Sequence, residues 1–324
     1  MLRIAVVATL VLAACVARGA ELLPEVVEVG SGDLSLDFDA WLEAEQGGGT
    51  YVLTQGAPCV ECEPTWGYAP QQWTWHILPV GLLYRSYLAG PLEPRFAAIL
   101  FDEREQDTLW DGTRGAGAGV SRDGTPGDYG AQGWQVDVEG ASFPRLDFEQ
   151  EQELLTTDFR FGIPITYRDG PAAIKLAYYH LSSHLGDELI ERDPSLVRVN
   201  YSRDAFVFGL SYDVVSDLRL YGEVGVAFFT AGGAEPWETQ FGIEWAPLCP
   251  TGDHGAPFLA LNGQLWEDVS FSGTFTAQAG WSWSGDSARR LFRLGVHYQN
   301  GTSNQRQFFL THEHQFGMGI WYDF

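Results

Sequence analysis

Much of this chain alternates. Thr157, Phe159, Phe161, Ile163, Ile165 and Tyr167 fall on one face of an extended strand, and Asp158, Arg160 and Thr166 on the other. The same two-residue period sets Phe206, Phe208, Leu210 and Tyr212 against Gly209, Ser211 and Asp213. It sets Leu218, Leu220, Val224, Val226 and Phe228 against Arg219, Tyr221 and Glu223, and Phe241, Ile243 and Trp245 against Gln240 and Glu244. Further on, Phe275, Ala277, Ala279, Trp281 and Trp283 oppose Thr274, Thr276, Gln278 and Ser282, while Phe292, Leu294, Val296 and Tyr298 oppose Arg293, His297 and Gln299. Beyond the N-terminus no stretch approaches the roughly twenty unbroken apolar residues of a membrane helix. A soluble sandwich would hide these apolar faces in one shared core. Little helical sequence is available to cover them, and the opposite faces carry Arg, Glu and His. A closed barrel meets both conditions, because its outer face can lie in hydrocarbon while its interior is wet. The expected fold is therefore all-β, a transmembrane antiparallel β-barrel of about twelve strands.

Turn residues punctuate the pattern at Arg168–Pro171, Val215–Asp217, Ala231–Gly233, Gly252–Pro257, Ser284–Asp286 and Asn300–Thr302. Residues 104–133, with the run Gly115-Ala116-Gly117-Ala118-Gly119, read as one long loop or as a weak strand. The final segment places Phe316, Met318, Ile320, Tyr322 and Phe324 on one face, with Gly317, Gly319, Trp321 and Asp323 between them. A last strand that ends the chain on an aromatic residue resembles that of bacterial outer-membrane barrels. There it is read by the barrel assembly machinery, which the resemblance implies as a partner alongside outer-membrane lipid.

The N-terminus carries Arg3 and then an apolar run, Ile4–Ala14, too short to span a bilayer, so residues 1–20 read as an export signal. Leu12-Ala13-Ala14-Cys15 resembles a lipobox, which would lipidate Cys15; ordinary cleavage near Ala17–Ala20 is the alternative. Residues 21–74 form an N-terminal periplasmic segment, with a short helix expected around Phe38–Glu45, and the barrel occupies 75–324, opening at Trp73–Pro79. Cys59 and Cys62 suit a local disulfide in an oxidising compartment, which leaves Cys249 over. Two cysteines cannot close a zinc site, and no cofactor is expected. With 43 acidic against 19 basic side chains, a nucleic-acid partner is excluded.

The segment Tyr178-Tyr-His-Leu-Ser-Ser-His-Leu-Gly-Asp-Glu188 holds the candidate chemistry. On a strand, His180, Ser182 and His184 share a face. An imidazole two residues from a hydroxyl can take its proton, as an activated serine requires. Ile174, Leu176 and Tyr178 point this face outward, whereas Tyr179, Leu181 and Leu185 argue the reverse. The His-x-Ser pair resembles that of two outer-membrane hydrolase families, phospholipase A and the lipid A deacylases. The resemblance implies Ser182 as nucleophile and His180 as base, with a third member among Glu191, Asp193 and Asn200. The Asn that follows the phospholipase serine is here Ser183. A hydrogen-bonded rim network is the alternative, as is cation binding by His184, Asp187 and Glu188. His312-Glu313-His314 reads as an interfacial polar cap or as two ligands of a metal.

Three longer blocks, Leu78-Pro-Val-Gly-Leu-Leu-Tyr-Arg-Ser-Tyr-Leu-Ala-Gly-Pro-Leu-Glu-Pro-Arg95, the 178–188 segment and Asn200-Tyr-Ser-Arg203, resemble domain of unknown function 1207. That family implies an exported barrel without an assigned activity. The sequence thus points to the outer membrane and to passive permeation or envelope structure, with an outer-leaflet lipid acyl hydrolase as the alternative.

Overall fold

The computed structural model describes residues 72–103, 108–126, 130–285 and 290–324. Its strands are β1 (Thr74–Ile77), β2 (Phe96–Glu103), β3 (Thr108–Gly124), β4 (Gly133–Asp147), β5 (Glu153–Asp169), β6 (Ala172–Leu185), β7 (Ser202–Val215), β8 (Leu218–Ala231), β9 (Trp237–Trp245), β10 (Ala256–Trp266), β11 (Thr274–Ser284), β12 (Leu291–Thr302) and β13 (His312–Asp323). One short helix, α1 (Asp187–Arg192), follows β6. Among the described residues no helix is long and apolar enough to cross a membrane.

Each strand from β2 to β13 pairs antiparallel with its neighbours, and β13 returns to β2 with Trp321 opposite Ala97. The result is a closed barrel of twelve strands. Among the described residues, closure leaves two edges outside the ladder, the far side of β1, which pairs only with β3, and Gly115–Val120 of β3, which lies between its two partners. The alternation read from the sequence sorts inside from outside. Phe159, Phe161, Ile163 and Ile165 of β5 are exposed, as are Phe206, Phe208 and Leu210 of β7, while Asp158, Thr166, Arg203 and Asp213 are buried. Phe316, Met318 and Ile320 of β13 are about half exposed or more (53%, 60% and 48%), so large apolar side chains line the outer wall. Many interior charges are paired. Arg145 meets Asp111 at 2.7 Å and Glu313 at 2.5 Å, Lys175 meets Glu223 at 2.7 Å, and Arg293 meets Asp323 at 2.7 Å. Unpairing any one of these buried charges costs about 3–5 kcal/mol.

The barrel's first strand is interrupted. Ile77 pairs with Ser121 and Phe96 with Arg114, so only six residues of β3, Gly115–Val120, lie between the two partners. Between β1 and β2 eighteen residues, Leu78–Arg95, span the same gap. Twelve are in excess, and they turn into the lumen. Leu83, Tyr84, Tyr87, Leu88, Ala89 and Leu92 are buried there. This irregular backbone has no ladder of its own, so its carbonyls need donors. Strand arginines supply them: Arg122 to Val80 and Gly81 (both 3.0 Å), Arg168 to Leu83 (3.4 Å), Arg219 to Arg85 (2.8 Å) and Ser86 (3.3 Å), Arg293 to Leu88 (3.1 Å) and Arg160 to Leu92 (3.3 Å). Tyr87 stacks on Tyr221 with ring centroids 3.8 Å apart and donates to Glu223 at 2.8 Å, and Arg85 pairs with Asp213. The far end is filled as well. In the 303–311 connection, Ser303–Gln307 and Phe309 are buried, and the Arg306 guanidinium lies 3.9 Å from the Trp266 ring centroid.

Two sequence expectations change here and one open alternative is decided. The block 78–95 fills the lumen instead of building wall, and the first full strand begins at Phe96. Of the two readings of 104–133, the strand holds, with residues 108–124 forming β3. Cys249, expected to be left over, is disulfide-bonded and half-buried in the 246–255 connection. The Cys59–Cys62 pair, Cys15, the signal and the helix at Phe38–Glu45 all lie outside the described residues.

Candidate functional site

Residues of β6 alternate strictly. Ala173, Lys175, Ala177, Tyr179, Leu181, Ser183 and Leu185 are buried inside, so Tyr178, His180, Ser182 and His184 point outward with Ile174 and Leu176. The register fixes their neighbours. His180 lies between Phe161 of β5 and Asp204 of β7, and Ser182 between Phe159 and Ser202. His180 Nδ1 donates to Asp204 Oδ1 at 3.0 Å, and the Tyr178 hydroxyl donates to the same oxygen at 2.7 Å. The His180 side chain is 41% exposed and that of Asp204 21%, so the pair is open to whatever surrounds the wall.

With Nδ1 committed to a carboxylate, the neutral ring presents Nε2 as an acceptor. Ser182 stands two positions along the strand, about 7 Å between Cα atoms, a span that an imidazole and a hydroxymethyl group bridge when rotated toward each other. Among the described residues no group hydrogen-bonds the Ser182 hydroxyl. The arrangement sets a hydroxyl and an imidazole on one outward face, with a carboxylate bonded to the imidazole. Around it the wall is aromatic: the Tyr178 ring lies 6.3 Å from Phe206 and 6.2 Å from Phe228, and His184 meets Phe159 edge-on at 5.8 Å.

The carboxylate is not one that the sequence pointed to. None of Glu191, Asp193 and Asn200 bonds His180. Glu191 is exposed on α1, Asn200 is exposed beyond it, and Asp193 accepts from the Ser195 hydroxyl (2.5 Å) and amide (3.0 Å). Those two bonds hold the Asp193 carboxyl below its usual range. Cross-strand register was the signal needed, and the sixteen residues between β6 and β7 hide it from sequence spacing. The cation reading of His184, Asp187 and Glu188 also fails. His184 Nδ1 accepts from the Arg198 guanidinium at 2.9 Å, and Glu188 accepts from the Leu154 amide at 2.9 Å. Glu313 points inward to Arg145, while His312 and His314 lie on the outer face, His314 beside the Tyr298 hydroxyl at 3.4 Å. Among the described residues no three His, Cys, Asp or Glu side chains are placed to hold a metal.

Residues 69–324 match the family described as "Protein of unknown function (DUF1207)". No curated protein sequence matches the chain. Among solved structures, outer membrane phospholipase A from Escherichia coli aligns over 74% of this chain and 98% of its own, at 12% identity and a TM-score of 0.50. The calcium-bound outer membrane phospholipase dimer of Salmonella typhi covers 71% and 91%, at 11% identity and 0.49. The KdgM porin covers 71% and 98%, at 10% identity and 0.39. At these identities the likeness is one of fold.

Proposed function

The chain belongs to the DUF1207 family, whose description carries no activity, and from its own residues we propose that it is an outer-membrane acyl hydrolase acting on outer-leaflet lipid through Ser182, His180 and Asp204. The location is supported by the apolar outer wall and the aromatic C-terminal strand, the segment that the barrel assembly machinery would read. The orientation is supported by the connections. Those at the end holding Phe324 include two of only two residues, 170–171 and 216–217, beside the ten-residue 246–255, whereas the opposite end holds the sixteen-residue 186–201 and the nine-residue 303–311. Periplasmic turns are short and outer loops long in such barrels. Ser182, near the upper end of β6, then lies at the depth of the outer leaflet.

The observation that carries the reading is the 3.0 Å bond from His180 Nδ1 to Asp204 on the outward face that also carries Ser182. In the proposed reaction Ser182 Oγ attacks the ester carbonyl carbon while His180 Nε2 takes the hydroxyl proton. Collapse of the tetrahedral intermediate breaks the bond to the alkoxy oxygen, which leaves as an alcohol carrying that proton. The acyl group stays on Ser182. Water then attacks the acyl carbon, His180 takes a proton from it and returns one to Ser182 Oγ, and a fatty acid departs. Asp204 holds the imidazole in the required tautomer and stabilises the imidazolium. Its side-chain exposure beside an aromatic wall lets a membrane lipid reach the site without leaving the leaflet.

The test is fatty-acid release from phospholipid and from lipopolysaccharide by purified protein. Ser182→Ala is expected to lower the rate by about 10³-fold or more. Release that survives Ser182→Ala sinks the hydrolase. A second reading, an envelope protein in which this group is a rim network, is favoured by Tyr178 sharing the Asp204 oxygen. It predicts no release from wild type.

A further inference from the structure

We propose that Arg198 receives the phosphate of the lipid headgroup, so that the substrate at Ser182 is a phosphate-bearing acyl lipid; this rests on the hydrolase reading above. The chain has 43 acidic and 19 basic side chains, and most of its buried arginines face carboxylates. Arg85 and Arg168 share Asp213, Arg219 faces Glu244, and on the rim Arg192 pairs with Glu153 at 2.8 Å. Arg198 differs. It is exposed, and among the described residues no carboxylate lies within ion-pair distance of it. Its contact is the 2.9 Å donation to His184 Nδ1, which needs that nitrogen unprotonated and leaves the other guanidinium N–H groups free.

Position makes this cation relevant. His184 follows Ser182 by one step on the same outward face, and its ring rests against Phe159, the residue paired with Ser182. The backbone beside Arg198 is also fixed. Val199 N donates to Gln307 Oε1 at 3.1 Å, and Val199 O accepts from Gln307 Nε2 at 2.6 Å. The same Nε2 donates to Ser183 O at 2.9 Å, so a side chain from the buried 303–311 connection clamps this irregular segment to β6. A guanidinium held in this way, one strand step above the nucleophile and on the headgroup side of it, is suited to a phosphate oxygen pair. The apolar rings below it suit the acyl chains.

The experiment compares a diacyl phospholipid with the diacylglycerol of the same chains in mixed micelles. Arg198→Ala is expected to lower kcat/KM on the phospholipid by about ten- to a hundredfold, as for loss of a charge-assisted bond. Diacylglycerol turnover should be unchanged, and Arg198→Lys should fall between. Equal loss on both lipids, or loss on neither, overturns the assignment. Binding of a diether phospholipid, which has no ester for Ser182 to cleave, separates the two claims. It should weaken in Arg198→Ala and persist in Ser182→Ala. If the diether lipid binds in this pattern while no ester is ever cleaved, the hydrolase fails and the headgroup site stands. If esters are cleaved while Arg198→Ala binds the diether lipid as wild type does, Arg198 fails and the hydrolase stands. Binding of inorganic phosphate that is lost in Arg198→Ala, with no binding of the diether lipid, would reassign the site to free phosphate and overturn the lipid assignment.

Discussion

At the scale of single residues, Asp204 separates catalysis from structure. It is partly exposed on the outer wall and its partners are the imidazole and one phenol, so its loss removes an orienting bond and little packing. Asp204→Ala is expected to lower fatty-acid release by about 10²- to 10⁴-fold. The unfolding temperature in detergent should stay within a few degrees, since surface substitutions typically change stability by about 0.5 kcal/mol or less. Glu191→Ala and Asn200→Ala should leave the rate unchanged, and a loss there equal to that of Asp204→Ala would contradict the arrangement. The His-x-Ser pair was legible in the sequence, but its face was not. Leu181 and Leu185 argued for the opposite side because a wet interior would not hold leucine. Inside, Leu181 joins a cluster with Trp266 and Phe309, and Leu185 packs with Phe101, Leu109 and Leu189. The stoppered far end makes the lumen locally apolar, and there the inside–outside rule inverts.

At the scale of elements, β13 and the strands from β5 onward were readable because each pairs large apolar residues with polar ones at period two. β3 was not, and the reason is the lumen segment lying against it. Its inward positions Gly117 and Gly119 face Leu82 and Pro79, where a Cβ on Gly119 would stand 2.7 Å from the Pro79 ring and one on Gly117 3.2 Å from Leu82. Outward Ala116 and Ala118 give no strong apolar signal either, so both faces read as small. Gly119→Val is expected to destabilise the barrel by about 1–3 kcal/mol through overpacking, seen as a lower unfolding temperature in detergent. Ala118→Val, on the outer face of the same strand, should be neutral. Equal behaviour of the two variants would mean that the 78–95 segment does not press on β3. Likewise the 78–95 block was visible as a distinct sequence but not as an insertion, because the twelve-residue excess appears only when both halves are set against one partner strand.

At the scale of the whole molecule, the question is whether a twelve-strand barrel with this interior passes solutes. Two inserts answer it. Leu78–Arg95 fills the half nearer the C-terminus, its carbonyls bonded by arginines from β3, β5, β8 and β12. The 303–311 connection fills the other half, with the Arg306 amide on Asp158 at 3.0 Å. Dislodging either insert strips hydrogen bonds from buried charged groups, at about 1.5–3 kcal/mol each, so thermal opening is rare. Wild-type protein in a planar bilayer is therefore expected to show no conductance steps. The register supplies a way to open it. Replacing Leu78–Arg95 with six alternating strand residues would join β1 and β2 into one continuous strand along β3, with no gap in the wall. Because the second insert remains, that variant alone should stay silent, as should one in which 303–311 is cut to a two-residue turn. Only the double variant should conduct. Steps from wild type would mean that the inserts leave a path, and would restore passive permeation; steps from either single variant would show that the remaining insert is no seal.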